Sequence, residues 1–261
     1  MTFSLHESID PNGAYEAIEQ VYRRPAVDVP REEFPLLREK LRMPQTAGYM
    51  DRPRLTSLLT KSTEQFPATL ISGRAGTGKT AIAANFAQNK TRVAWNTVES
   101  TDISWAVFSR YFSESLKSIG SYVETEVRSL DEQDVVSQTE IARLLVKHFA
   151  HSYAHQAPAL IVLDDIHHIF DAVWFDEFLN LLLYSLPPGC HALLLSRSKP
   201  PSPLWRLRSK QMLNVIEERV IAFTADETQQ LFNAKGAAKR DATRAHKQSF
   251  GRVSKLLQFI N

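Results

Sequence analysis

The octapeptide Gly73-Arg-Ala-Gly-Thr-Gly78-Lys79-Thr80 constrains this chain more than any other feature, because it joins an apolar run ending at Ser72 to a helical period opening at Thr80. Glycines at 73, 76 and 78 let the backbone curl until several amides point at one anion. The N-terminus of the following helix adds its positive end. In this phosphate-loop pattern the Lys79 ammonium reaches the β- and γ-phosphates of a nucleotide, and the Thr80 hydroxyl ligates magnesium. A glycine-rich turn with no ligand is the bland alternative.

A second motif works against that alternative. Ala159-Leu-Ile-Val-Leu163 leads into Asp164-Asp165, an apolar strand ending in two acids, and buried strands do not end in paired carboxylates without compensation. Asp164 is expected to hold Mg2+, and Asp165 to orient or polarise the attacking water; a plain helix N-cap is the other reading of Asp165. Asp164 lies 85 residues after Lys79, which leaves room for a strand and extra helices. That spacing predicts an additional-strand ATPase rather than a compact kinase. Asn89-Lys90 continues into Thr91-Arg92 rather than completing an Asn-Lys-x-Asp motif, so GTP is disfavoured. A further run ends in Leu195-Ser196-Arg197, which would set Ser196 and Arg197 beside the γ-phosphate, where a guanidinium can report the third phosphate. An ordinary surface arginine is the alternative.

Strands are predicted at Ala68–Ser72, Val93–Thr97, Leu160–Asp164 and Ala192–Ser196, with another near Leu213–Ile216. All are apolar throughout, as strands buried on both faces are. Trp105, Phe108, Phe112 and Leu116 share one helical face, and so do Phe175, Phe178, Leu182 and Leu186; both sets read as core. Thr224-Ala-Asp-Glu227 reads as a capping box opening a small helical appendage that buries Leu231 and Phe232. Three domains follow: residues 1–48 as an arm broken by Pro11, Pro25, Pro30, Pro35 and Pro44, residues 49–222 as the ATPase domain, and residues 223–261 as a partial helical lid. Two short helices are predicted in the arm, one over 13–22 and one after Pro35 through Leu36, Leu37 and Leu41. The arm is expected to pack on a protein partner.

With 43% apolar and 23% charged residues and a net charge of +2, the composition is globular and favours neither a nucleic-acid coat nor an acidic tail. Cys190 is the only cysteine, which excludes an intramolecular disulfide and a cysteine zinc cluster. The opening residues do not form a secretory signal, and no apolar run approaches the ~20 residues of a membrane span. A cytoplasmic location with no membrane partner is expected.

The motifs together resemble those of the signal-transduction ATPases with numerous domains (STAND), and specifically the MalT-type regulators related to large LuxR-family activators. The likeness runs from Arg52-Pro-Arg-Leu55 through the phosphate loop, Val93-Ala-Trp95, and Trp105, Phe108 and Tyr111. It continues through Leu163-Asp-Asp-Ile-His167, Leu186-Pro-Pro-Gly189, Leu195-Ser-Arg197-Ser-Lys-Pro200-Pro201 and Leu204-Trp-Arg-Leu-Arg208. It ends in Phe223-Thr-Ala-Asp-Glu227 and Leu231-Phe-Asn233. The resemblance implies an α/β P-loop NTPase of AAA+/STAND type, with a parallel sheet flanked by helices and followed by a lid. It also implies an ATP/ADP switch with slow Mg-dependent hydrolysis that controls self-association or partner binding in signal transduction or transcription regulation. By position it sets Arg52 near the adenine side and Gly251-Arg252-Val253 at a lid motif that normally reads Gly-Trp-Pro; the tryptophan and proline are absent here. The family continues into a winged helix, a superhelical sensor and a DNA-reading helix-turn-helix, whereas this sequence ends at Asn261.

The expected nucleotide-binding residues are therefore Arg52, Gly73, Ala75, Gly76, Thr77, Gly78, Lys79, Thr80, Ala81 and Val253. Lys79, Asp165 and Arg197 are the expected catalytic residues, and Thr80 and Asp164 the magnesium ligands. His148, His151 and His155 share a helical face but have no thiol or carboxylate at ligand spacing, so a solvated edge explains them better than a metal. His167 reads as a turn residue that could bond near the nucleotide. Beyond Phe232, Lys235, Lys239, Arg240, Arg244, Lys247, Arg252 and Lys255 face the single acid Asp241. Such a stripe can touch nucleic-acid phosphates. Without an interleaved aromatic platform, it reads rather as a solvated surface or a site for an acidic protein. A DNA-associated ATPase, or a non-catalytic relative that docks on a full-length regulator, is the remaining alternative.

Overall fold

A computed structural model describes residues 35–120, 142–143, 145–147, 149–150 and 158–260. The chain divides into two compact units, Met1–Leu36 and Leu37–Asn261, and every element below belongs to the second. The helix predicted over 13–22 and the face of His148, His151 and His155 lie outside the described residues.

The five predicted strands form as β1 (Ala68–Ser72), β2 (Val93–Thr97), β3 (Ala159–Asp164), β4 (Cys190–Ser196) and β5 (Leu213–Glu217). They pair in parallel in the order β2-β3-β4-β1-β5. The strand for which the motif spacing leaves room is β2, and β4 is the additional strand of the expected architecture, inserted between the phosphate-loop strand β1 and the acidic strand β3. The register brings the C-terminal ends level: Ser72 pairs with both Ser196 and Glu217, and Thr97 pairs with Asp164. Everything that leaves the strands at that edge therefore meets in one crevice, the usual ligand position in a sheet of this kind.

The strands are apolar at successive positions because both faces are covered. Ile71, Trp95, Val162, Leu193 and Leu195 pack under α1 (Pro53–Gln65) and α2 (Lys79–Ala87). Leu70, Ala94, Ile161, Leu163 and Leu194 pack under α3 (Trp105–Leu116), α4 (Phe175–Ser185) and α5 (Ser202–Ser209). The aromatic positions expected to be core are core: Phe108 stacks on Trp174 at 4.7 Å, and Phe178 stands edge-on to Phe108 at 5.0 Å and to Phe112 at 5.2 Å.

After β5 come α6 (Glu218–Ile221), α7 (Ala225–Ala234), α8 (Lys239–Ser249) and α9 (Val253–Leu256). The last three helices share an apolar cluster of Phe223, Leu231, Phe232, Ala242, Ala245 and Leu256. The capping box at the start of α7 is present: the Thr224 hydroxyl accepts from the Glu227 N–H at 3.1 Å, and the Glu227 carboxylate accepts from the Thr224 N–H at 3.0 Å. No helix among the described residues is long and apolar enough to cross a membrane.

The stretch after Pro35 differs from expectation. Instead of a helix through Leu36, Leu37 and Leu41 it forms a single 3-10 turn at Arg38–Leu41, with Leu37 half exposed. Residues 37–48, expected to end the arm, belong with the sheet. The reason is electrostatic: Lys40 is buried, and its ammonium donates to both Asp102 oxygens at 2.8 and 2.7 Å and lies 4.0 Å from the Tyr111 ring centre. Asp102 is itself fully buried and also accepts from the Glu99 N–H at 2.6 Å. A buried ion pair contributes little net stability, but removing one partner leaves a charge stranded. Lys40→Ala is expected to destabilise the protein by about 3 kcal/mol in urea unfolding. Lys40→Met combined with Asp102→Leu should recover most of that loss.

Candidate functional site

β1 and β4 stop together, and the chain leaves β1 through a loop anchored at its first residue: the Gly73 N–H donates to the Ser196 carbonyl at 3.1 Å. Gly76 and Gly78 both take positive φ, 74° and 91°, which lets the loop fold back and enter α2 at Lys79. The N–H groups of Ala75, Gly76, Thr77 and Gly78 find no acceptor among the described residues. These unused donors beside a helix N-terminus form a cradle suited to a polyphosphate.

The Lys79 ammonium is buried and donates to the Gly73 and Arg74 carbonyls at 2.6 and 3.1 Å. Burial lowers its pKa, against the nearby charges of Asp165 and Asp164. The Thr80 hydroxyl donates to Asp164 Oδ2 at 2.9 Å, joining the start of α2 to the end of β3. Burial raises the Asp164 carboxyl to about 6, helped by the Asp165 charge and opposed by the Thr80 hydrogen bond. A buried carboxylate of this kind is stabilised in its charged form by a cation, and a hydroxyl with a carboxylate is a hard oxygen donor set of the kind Mg2+ takes. Both groups, nucleotide and metal, thus fit the residues present.

Asp165 sits at the N-cap position of a 3-10 turn, Ile166–Ile169, but its side chain caps nothing. Its backbone is left-handed, with φ 55° and ψ 34°, which turns the carboxylate across the strand ends to Arg197. Arg197 meets it with two hydrogen bonds, Nε at 2.9 Å and Nη2 at 2.5 Å. His167, in the same turn, points a buried Nδ1 with no hydrogen-bond partner toward Asp165 Oδ1, 3.9 Å away. Burial followed by the charge of His168 lowers the His167 pKa, so the ring is neutral at physiological pH.

The lid closes directly on the loop. The Ser254 N–H donates to the Gly76 carbonyl at 3.1 Å, and the Arg252 guanidinium donates to the Ala75 carbonyl. A Cβ at Gly76 would come within 2.4 Å of the Ser254 hydroxyl, and one at Gly78 within 3.3 Å of Val253 Cγ1. Gly251 makes the approach feasible: it has φ 74°, and a Cβ there would lie 2.3 Å from the Phe223 carbonyl oxygen, whereas the glycine carbonyl accepts from the Phe223 N–H at 2.8 Å. From below, Glu218 at the start of α6 accepts from the Arg74 N–H at 2.9 Å and pairs with the Arg74 guanidinium at 2.7 Å.

The structure thus draws together Gly73, Ala75, Gly76, Thr77, Gly78, Lys79, Thr80, Ala81, Asp164, Asp165, Arg197 and Val253 around one crevice. Arg52 joins the start of α1 to the connection between α6 and α7. Its guanidinium donates to the Ile221 and Ala222 carbonyls at 2.8 and 2.9 Å and to Glu227 at 2.7 Å, 4.0 Å from the Phe223 ring centre. Glu218 and Ser254 were missed in the sequence, where neither lies in a motif, and Arg252 was noted only within the degenerate lid motif and the basic stripe, with no role on the loop.

Comparison with known proteins bears on the family and the fold. The AAA ATPase domain family model matches residues 51–195. The HTH-type transcriptional regulator MalT of Serratia proteamaculans is 31% identical over 186 residues, covering 70% of this chain and 20% of the regulator. That of Vibrio campbellii is 28% identical over 182 residues with the same coverage, so the chain spans about a fifth of the length of these relatives. Among solved structures, a STAND protein with a tetratricopeptide repeat sensor from Pyrococcus horikoshii superposes with a TM-score of 0.54 at 19% identity, over 84% of this chain and 30% of that one. A Walker-type ATPase of Pyrococcus abyssi gives 0.53 at 12% identity, over 83% and 69%. At such identities these two show the fold.

The Arg52–Glu227 junction carries a pH signature. Burial alone would raise the Glu227 carboxyl, but hydrogen bonds from Arg52, Arg54 and the Thr224 N–H outweigh it and leave the pKa at about 2. A folded-state pKa below the unfolded one means that this pairing stabilises the fold above the ordinary value of 4.5 and is lost as pH falls toward about 2. Thermal denaturation across that window should show Glu227→Gln less stable than the parent near neutrality. The difference should shrink as the medium is acidified.

Proposed function

The chain belongs to the AAA ATPase domain family, and we propose that it acts as an adenine-nucleotide switch in which the occupied phosphate loop sets the position of the lid and thereby controls self-association or partner binding. The observation that carries this reading is the direct seating of Arg252, Val253 and Ser254 on the loop at Ala75, Gly76 and Gly78. A group lodged in the cradle cannot leave those contacts as they are. The lid, fastened through Gly251 to Phe223 and through Glu227 to Arg52, moves as a unit.

Within this reading the loop amides and Lys79 grip the phosphates, and Lys79 exchanges its two carbonyl acceptors for phosphate oxygens. Thr80 and Asp164 hold Mg2+, which when bound would neutralise charge on the β- and γ-phosphates. Asp165 orients the attacking water. The Arg197–Asp165 pair acts as a latch: while Arg197 holds the carboxylate, Asp165 is a poor acceptor of the water's proton. A γ-phosphate competes for the guanidinium with charge-assisted bonds of its own, so a triphosphate releases Asp165 and a diphosphate does not. Val253, next to Gly78, flanks the base and sugar side, whereas Arg52, expected there from the resemblance, is engaged by Glu227 and the Ile221 and Ala222 carbonyls.

The similarity to the MalT regulators supports placing this switch in signal transduction or transcription regulation. Their further domains make up most of their length, so the partner and the output are part of the proposal. Titration calorimetry with Mg2+ should show Lys79→Ala losing ADP and ATP affinity by at least ~100-fold, the scale of two charge-assisted bonds. Arg197→Ala should narrow the preference for a triphosphate analogue over ADP and leave ADP affinity near the parent value. Basal hydrolysis well below ~10 per second is expected; turnover at that rate without a partner would refute the switch.

A further inference from the structure

We propose that the outer face of the lid is a binding site for single-stranded nucleic acid, with its phosphates on α8 and a base on the ring of Phe250. Between Phe223 and Ile260 there are seven Lys and Arg against three acids, whereas the whole chain carries only +2. The positive charge is therefore concentrated on the lid. Ala242 and Ala245 turn α8 inward onto Phe232 and Leu256, which leaves Arg240, Arg244 and Lys247 in line on the exposed side. They stand about 6 and 4.5 Å apart along the helix axis. None of the three is in an ion pair among the described residues, so no internal acid neutralises this row.

The row leads to an aromatic that the stripe lacked when read as sequence. Phe250 ends α8 in the left-handed region, at φ 53° and ψ 35°, with its N–H on the His246 carbonyl at 2.9 Å. Glycine or asparagine occupies that position at lower cost, yet here it displays a phenyl ring that is 84% exposed. The ring lines a cleft of about 520 Å³ together with Lys247 and Arg219. A cationic ridge running into a cleft beside a free aromatic face is the combination that holds a single strand: charges follow the backbone and the ring stacks a base of any identity. An acidic peptide would use the charges but leave the ring without a planar partner. The surface lies outside the phosphate loop and does not depend on nucleotide turnover.

The test is fluorescence anisotropy of the full chain with a labelled oligothymidylate of about 15 nucleotides, in EDTA without nucleotide, across a sodium chloride series. Three phosphate contacts predict a slope of about −2 for log affinity against log salt, and Arg240→Gln with Arg244→Gln should reduce its magnitude by about 1.4. Phe250→Ala should weaken binding about 10-fold at every salt concentration with the slope unchanged, the scale of one stacked base. These side chains are exposed, and thermal melts coinciding with the parent would confirm that the variants fold. No binding at low salt, or binding with no salt dependence, overturns the proposal. So does a Phe250→Ala variant of full affinity from which polyglutamate displaces the oligonucleotide at matched charge, since that marks a surface for acidic polymers in general.

Discussion

The Thr80 hydroxyl and the Asp164 carboxylate lie 2.9 Å apart although 84 residues separate them, and the rest of the site depends on that meeting. It requires β1 and β3 to end at the same height with one strand between them, which the order β2-β3-β4-β1-β5 provides. β4 does more than fill the space. Its last residue, Ser196, anchors the loop through the Gly73 N–H, and the next one, Arg197, reaches back across β3 to Asp165. Moving any one of the three strands by a single register position would turn its terminal side chain to the opposite face of the sheet, separating the cradle from its carboxylates.

A second constraint is where charge is tolerated. Lys79 and Asp164 are both buried, and desolvation shifts each toward its neutral form. Their environment is costly in isolation and favourable once a phosphate and a divalent ion complete it, as expected of a site preorganised for charged ligands. The other buried charges are satisfied internally: Lys40 by Asp102, and Arg52 by Glu227 and two carbonyls. These pairs fasten the two ends of the described unit, the turn ahead of α1 and the lid after β5, to the central sheet. The molecule thus separates charges that hold the structure together from charges left to be met by a ligand.

Much of this was legible in residue order. The strands emerged because a parallel sheet covered on both faces needs uninterrupted apolar runs, and Leu70 and Ile71 do serve opposite faces. The phosphate loop, Thr80, Asp164 and Asp165 were legible because their spacing within a short segment carries the chemistry. The capping box of Thr224 and Glu227 was legible for the same local reason. Less legible was anything made by partners far apart in sequence: the Lys40–Asp102 pair that draws residues 37–48 onto the sheet, Glu218 beneath the loop, and Arg252 and Ser254 above it. Phe250 was hidden differently, since one aromatic after a basic helix gives no sign of its exposure until the backbone turns left-handed there.

The sequence by itself determined that a strand, a glycine loop and a helix follow one another at residues 68–87, that an acidic strand end stands ready for a cation, and that the chain finishes in a cationic helical segment. Those are short-range matters, governed by periodicity, backbone freedom at glycine and the cost of burying charge. Only the tertiary structure decided that Arg197 grips Asp165, that Arg52 ties the start of α1 to Glu227, and that the terminal helices rest on the loop through a glycine able to lie against the Phe223 backbone. Such contacts arise from the packing of whole elements, whose relative placement reflects the summed burial of many side chains and is not encoded in any one segment.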